Sequence, residues 1–195
     1  MKNNQKHNYM LFYMWIFSVA ILFVISFLLD NFIVIFFTVI KNSLMTNIAM
    51  VFSHTFYIIF FLLLVIYLLK DYKQKRQLQY EREAILTSVL TSFVLAYIIK
   101  FFVSRPRPYD TEYVLGMIDY SFPSTHTAIV FSMLPFLSRI NRKDRICLWL
   151  LAVLVPLSRL ILLKHYPSDL FAGALLGYFT GLAIKHIFED EKTKK

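Results

Sequence analysis

The chain has 195 residues, 58% apolar and only 17% charged, with a mean hydropathy of +0.58. This is a single-domain length too apolar for a soluble globular domain, and it excludes disordered, collagenous and nucleic-acid-binding classes in favour of an integral membrane protein. The formal charge of +9 (21 Lys and Arg against 12 Asp and Glu) suits anionic lipid headgroups rather than nucleic acid, and the single cysteine, Cys147, offers neither a disulfide nor a thiolate metal site.

A hydrocarbon core about 30 Å thick takes roughly 20 apolar residues as helix, and shorter runs can span inside a bundle when flanking Lys or Arg snorkel. Six stretches qualify, predicting an all-α, six-transmembrane bundle as one domain over 1–195, with its motif-bearing core at about 84–188. The first, 9–29, is uncharged, preceded by Lys2 and Lys6 and ended by Asp30. It contains the small-x-small triplet Ser18, Val19, Ala20 of a signal peptide, but its apolar run continues well past Ala20, so an uncleaved anchor is expected. The piece 32–40 is too short to cross and reads as an interfacial helix. The remaining spans are 47–69, 84–103 with Lys100 in its last turn, 124–137, 146–163 with Arg159 near its end, and 167–188. No P-loop, dinucleotide-binding glycine pattern or internal repeat is visible.

Fifteen of the 21 Lys and Arg fall on the side that carries both termini, including the run from Lys70 to Arg82, which reads as a topology anchor. The other six are Lys41, Lys100, Arg105, Arg107, Arg159 and Lys164. The positive-inside rule therefore puts both termini in the cytoplasm. Five of the six outer cations cluster at the ends of the third and fifth spans, where topology gives them no purpose. Polar groups at membrane depth are costly and mark functional positions.

Along that outer face the chain presents Lys100, six residues, then Arg107-Pro108; next Pro123-Ser124-Thr125-His126; then Ser158-Arg159, five residues, His165, three residues, Asp169. In these three segments, in order and spacing, the chain resembles the type 2 phosphatidic acid phosphatase superfamily of lipid phosphate phosphatases, bacterial acid phosphatases and vanadium haloperoxidases. The residue-specific match covers the three segments, and the six-span layout extends the likeness over nearly the whole chain. Thr125 departs from the pattern, standing where the family most often has glycine.

The residue types make chemical sense by themselves. Lys100, Arg107 and Arg159 come from different segments and can surround a phosphate without a metal, the two guanidinium groups offering planar forks and the ammonium a point charge. Ser124 follows Pro123 and reads as the N-cap of the fourth span, whose first backbone N–H groups form an anion site. The β-branched Thr125 leaves two readings open: its hydroxyl adds a hydrogen bond, or the loop sits wider. Asp169, four residues after His165 and just past Pro167, is placed to reach back to one imidazole nitrogen and fix the tautomer. The resemblance implies that His165 attacks phosphorus to give a phosphohistidine. It implies that His126 protonates the departing lipid oxygen and then activates water.

Weaker features complete the reading. Gly173, Gly177 and Gly181 recur every four residues on the last span and allow a neighbouring helix to approach, within the bundle rather than in a homodimer. Asp110, Glu112 and Asp119 read as a solvated outer loop, and Tyr109, Tyr113, Tyr120 and Tyr166 suit the headgroup belt. His7, His54 and His186 match no motif.

The expectation is a lipid phosphate or pyrophosphate phosphatase acting at the extracytoplasmic face, with no cofactor, a membrane lipid as substrate and oligomeric state open. A polyprenyl diphosphate is favoured because Arg105 and Lys164 could hold a second phosphate. Phosphatidic acid or phosphatidylglycerophosphate hydrolysis, or lipid phosphotransfer, is the alternative. From another class, a non-catalytic protein binding anionic lipid would use the same basic cluster.

Overall fold

Away from water every backbone N–H and C=O must be paired within its own segment, so long apolar runs have no low-cost alternative to helix. A computed structural model describes residues 2–69, 76–109, 112–114, 117–139 and 142–193. The described residues form α1 Lys2–Leu28, α2 Asp30–Ile40, α3 Ser43–Leu69, α4 Arg76–Val103, α5 Thr125–Ser132, α6 Arg142–Ile161 and α7 Pro167–Thr193, with a 3₁₀ turn Leu134–Arg139 after α5. Lys70, Lys73 and Lys75 of the basic run, Asp110 of the outer loop, and Lys194 and Lys195 lie outside the described residues.

The all-α expectation holds except at one place. Between α4 and α5 a hairpin pairs β1 Glu112–Val114 antiparallel with β2 Met117–Asp119, setting Glu112 opposite Asp119. Three-residue strands are too short to leave an alternating pattern that a sequence reading can detect.

Among the described residues, three stretches are long and apolar enough to cross a membrane: Tyr9–Leu28, Glu81–Val103 and Pro167–Asp190. Asp30–Ile40 and Ser43–Ser53 pass the same test only together, bent by 116° at the break between them. The expected interfacial piece is therefore a helix, α2, that turns sharply into the start of α3. The expected fourth span is a shorter apolar helix, Thr125–Ser138. The expected fifth span corresponds to α6, which begins with Arg142, Lys143, Asp144 and Arg145.

Two helices bury α5. The Ser88 hydroxyl of α4 donates to the Ser132 carbonyl at 2.9 Å. On the other side, α7 presents its glycines to the α5 backbone. A Cβ on Gly173 would lie 2.5 Å from the Ser124 carbonyl oxygen, and one on Gly177 or Gly181 would fall on the carbonyl oxygen of Ala128 or Ser132. The four-residue glycine spacing thus serves packing within the chain. Phe56, Val89, Ile129, Val130, Leu148 and Val155 fill the space between α3, α4, α5 and α6. By contrast α1 keeps large side chains such as Phe17 and Leu28 exposed along its length, as a lipid-facing helix does.

Candidate active site

Chain breaks at one end of the bundle deliver the polar residues. Helix α4 stops at Val103. Ser104 takes a left-handed conformation (φ 49°), its N–H donating to the Lys100 carbonyl at 2.9 Å. Pro106 and Pro108 then disfavour helix at the residues before them, Arg105 and Arg107, which lie outside any regular element. Helix α6 ends through a left-handed Leu163 (φ 53°), with the Lys164 N–H reaching back to the Arg159 carbonyl at 3.0 Å. That reversal turns His165 toward the bundle, and Pro167 opens α7 with its fixed φ. Asp169 behaves as the acidic member of a capping box, its Oδ2 accepting from the Tyr166 backbone N–H at 2.9 Å.

The second segment docks on the third. Ser124 occupies the N-cap position of α5, but its side chain makes no cap bond; its Oγ accepts from the Thr127 hydroxyl at 3.1 Å. Its backbone N–H donates to the Asp169 carbonyl at 3.0 Å, an approach that Gly173 permits. Thr125 is buried, and its Oγ1 has no hydrogen-bond partner among the described residues. His126 is half-buried, its ring 5.9 Å from that of Phe56.

The cations converge around His165, and each is held by neighbouring acceptors. Lys100 is buried, donates to the Tyr120 carbonyl and lies 3.0 Å from Asp119 Oδ1. Arg107 donates from Nε to the Asp119 carbonyl at 2.8 Å, from Nη1 to the Lys164 carbonyl at 2.9 Å and from Nη2 to Asp119 Oδ2 at 2.5 Å. Arg159 is buried on α6 and donates from Nη1 to the Ser53 hydroxyl of α3. The solvated reading of Asp119 is therefore corrected. Strand β2 brings its carboxylate between Lys100 and Arg107, where opposite charge offsets the cost of burying either.

His165 is 1% exposed, and its Nδ1 lies 2.8 Å from the Ser121 carbonyl oxygen. A carbonyl can only accept, so the proton sits on Nδ1 and Nε2 keeps its lone pair. The expected partner, Asp169 Oδ2, is 3.6 Å from the same nitrogen. Sequence reasoning misses Ser121 because a backbone carbonyl carries no residue-type signal. Burial, then the positive charges of Arg159, Arg107 and Lys100, hold the His165 imidazole well below its ordinary pKa.

A second correction concerns Arg105. Its guanidinium is committed to carboxylates, Nη1 to Asp169 Oδ1 and Nη2 to Asp30 Oδ2, both at 2.7 Å, and it lies 4.0 Å from the centre of the Tyr166 ring. It is not placed to bind a second phosphate. Asp30 and Ser168 also belong to this cluster, and no sequence motif marks either.

All three sequence segments thus meet at one end of a helical bundle, where a cluster of cations lies beside two imidazoles, an arrangement suited to an anion. The chain belongs to the PAP2 superfamily, whose model matches residues 83–193. It is 47% identical over 68 residues to the bacitracin transport permease protein BcrC of Bacillus licheniformis, covering 34% of this chain and 33% of that protein. It is 32% identical over 116 residues to phosphatidylglycerophosphatase B of Bacillus subtilis, covering 54% of this chain and 56% of that one. The chain therefore spans from a third to just over half the length of these curated relatives. The crystal structure of Aquifex aeolicus LpxE has a similar fold, with a TM-score of 0.63 and 24% identity over 81% of this chain and 95% of the other.

Proposed function

We propose that the protein is a metal-independent lipid phosphatase that works through a phosphohistidine, most readily on a polyprenyl diphosphate, with all 195 residues forming one catalytic domain. The observation that carries the reading is the buried His165 imidazole, whose Nδ1 lies 2.8 Å from the Ser121 carbonyl oxygen, an arrangement that leaves Nε2 to act as the nucleophile. Membership of the PAP2 superfamily and the likeness to phosphatidylglycerophosphatase B support lipid phosphate as the substrate class.

In this reading Lys100, Arg107, Arg159 and the first N–H groups of α5 after Ser124, with the Thr125 hydroxyl, hold the phosphoryl oxygens. Nε2 of His165 forms a bond to phosphorus as the bond to the leaving oxygen breaks, and His126 gives that oxygen a proton. His126 then takes a proton from water. The resulting hydroxide attacks phosphorus, the P–N bond breaks, and its electron pair returns to Nε2. Asp169 stabilises the positive charge that the ring carries in between. In this reading the three cations around the phosphoryl group supply the electrostatic stabilisation a metal would otherwise give.

Six crossings with both termini cytoplasmic and the site at the extracytoplasmic face complete the proposal. The exposed Arg142, Lys143 and Arg145 at the far end of α6 support that orientation. A carrier lipid released on that face suits a site opening there. With Arg105 withdrawn, Lys164 beside His165 is the basic residue proposed to meet a second phosphate. The longer match to phosphatidylglycerophosphatase B favours phosphatidylglycerophosphate as the second reading. Phosphate release by purified protein across polyprenyl diphosphate, phosphatidic acid and phosphatidylglycerophosphate, with His165→Ala as control, tests both. Release from the glycerolipids alone would remove the polyprenyl assignment, and release undiminished in His165→Ala would remove the mechanism.

A further inference from the structure

Asp30 stands at the turn between α1 and α2, ahead of the matched region 83–193, and a carboxylate there has no local reason to be buried. It is nevertheless 4% exposed and fully occupied. Oδ1 accepts the Ser168 backbone N–H at 2.9 Å, and Oδ2 accepts the Ser168 hydroxyl at 2.6 Å and Arg105 Nη2 at 2.7 Å. The Ser168 N–H is one of the unpaired donors of the first turn of α7, so Asp30 caps that helix from a distant element. The other face of Arg105 binds Asp169 Oδ1 at 2.7 Å, while Asp169 Oδ2 faces His165 Nδ1 at 3.6 Å. One continuous chain of charged groups thus runs from Asp30 through Arg105 to Asp169, which lies beside the His165 ring.

We propose that Asp30 is a positioning residue for phosphoryl transfer, sharing Arg105 with Asp169 so that the three groups together keep a net negative charge beside the imidazolium formed at His165. The proposal rests on the functional reading above. One guanidinium between two carboxylates leaves the cluster with one net negative charge; without Asp30, Arg105 would neutralise Asp169 alone. Attack by Nε2 makes the ring cationic, because the Nδ1 proton stays in place, so the charge on Asp169 matters more in the transition state than in the bound ground state. Loss of Asp30 therefore acts on kcat rather than on KM. The phosphate-binding cations do not depend on it: Lys100 and Arg107 bind Asp119, and Arg159 binds Ser53.

The test measures kcat and KM for phosphate release from the lipid that the panel identifies, in wild type, Asp30→Asn, Asp30→Glu, Arg105→Gln and the Asp30→Asn/Arg105→Gln double variant. Each protein is first confirmed monodisperse in detergent. Asp30→Asn is expected to lower kcat about tenfold, the scale of one charge-assisted hydrogen bond, with KM within about twofold of wild type. Asp30→Glu is expected to recover part of that loss. In the Arg105→Gln background Asp30→Asn should cost much less than in wild type, because no shared guanidinium is left for Asp30 to draw away from Asp169. A structural role alone would not make the cost depend on Arg105. An active wild type with unchanged kcat in folded Asp30→Asn, or with losses that multiply in the double variant, overturns this inference alone. A wild type that releases no phosphate from any lipid overturns both the inference and the functional reading beneath it.

Discussion

The Nδ1 atom of His165 lies 2.8 Å from the Ser121 carbonyl oxygen and 3.6 Å from the Asp169 carboxylate, so the backbone, and not the acidic side chain, fixes the tautomer of the buried imidazole. Removing Asp169 should consequently leave Nε2 correctly presented and weaken only the stabilisation of positive charge. Asp169→Asn is expected to lower kcat by roughly 10- to 100-fold, whereas His165→Ala loses at least about 1,000-fold. Single-turnover phosphate release from labelled lipid measures both, and acid-labile label should accumulate on wild type but not on His165→Ala.

Asp119 bonds Arg107 through its carboxylate and through its backbone carbonyl, and only the first is lost on substitution by asparagine. Arg107 stays held by the Asp119 and Lys164 carbonyls while the competing negative charge disappears. An incoming phosphate then meets Lys100 and Arg107 without a rival anion. Asp119→Asn is expected to lower KM about three- to tenfold, the scale of a partly exposed charge interaction. A raised KM would mean that the carboxylate is needed to aim the cations.

Gly177 separates helix propensity from packing. Alanine in a helix interior is favoured over glycine by about 1 kcal/mol. Yet the added methyl would strike the Ala128 backbone carbonyl, and overpacking of that kind costs about 1–3 kcal/mol. Backbone cannot rotate aside, so packing wins. Gly177→Ala should lower the thermal midpoint in detergent, and an increase would show that α5 and α7 are free to slide.

The pH dependence follows from the surroundings of His165. It faces Lys100 of α4, Arg107 of the segment after α4, His126 of α5, Arg159 of α6 and Asp169 of α7. Burial and the cations outweigh the carboxylate and depress its proton affinity, so the acid limb of kcat/KM should lie below the ordinary histidine range near pH 6.5. The sign for stability is the same. The unfolded chain takes up a proton near pH 6.5 that the folded site refuses, so stability is lost as pH falls through that value. Initial rates and thermal midpoints between pH 5 and 8 measure the two effects.

Under the proposed function Lys100, Arg107 and Arg159 should also bind vanadate, which adopts the five-coordinate geometry of the transferring phosphoryl group. Vanadate is expected to compete with lipid substrate, and EDTA to leave the rate unchanged. A loss of rate in EDTA that added magnesium or zinc restores would assign the phosphate-binding role to a metal ion.

The motif residues are legible in the amino-acid sequence because their signal is local: a fixed residue type at a fixed spacing, set where a basic residue has no topological purpose. Lys100, Arg107, Ser124, His126, Arg159, His165 and Asp169 carry that signal, Thr125 departs from it, and the fold gathers them at one end of the bundle. Arg105 is visible in the sequence, but its role is not, because its neighbours along the chain resemble those of Arg107 and only its partners in space differ. Asp119 is obscured in the same way, since a carboxylate in a polar loop looks solvated until a hairpin turns it inward.

By itself the sequence determined the helices, their apolar faces and the inventory of reacting groups, since backbone pairing in an apolar medium and the charge on a side chain are properties of short segments. Tertiary structure decided which groups meet. Asp30 and Ser168 lie 138 positions apart, and Ser121 acts through a carbonyl that every residue possesses. Pairing at that range depends on how helices pack, with α7 able to approach α5 only where Gly173, Gly177 and Gly181 remove the side chain between them.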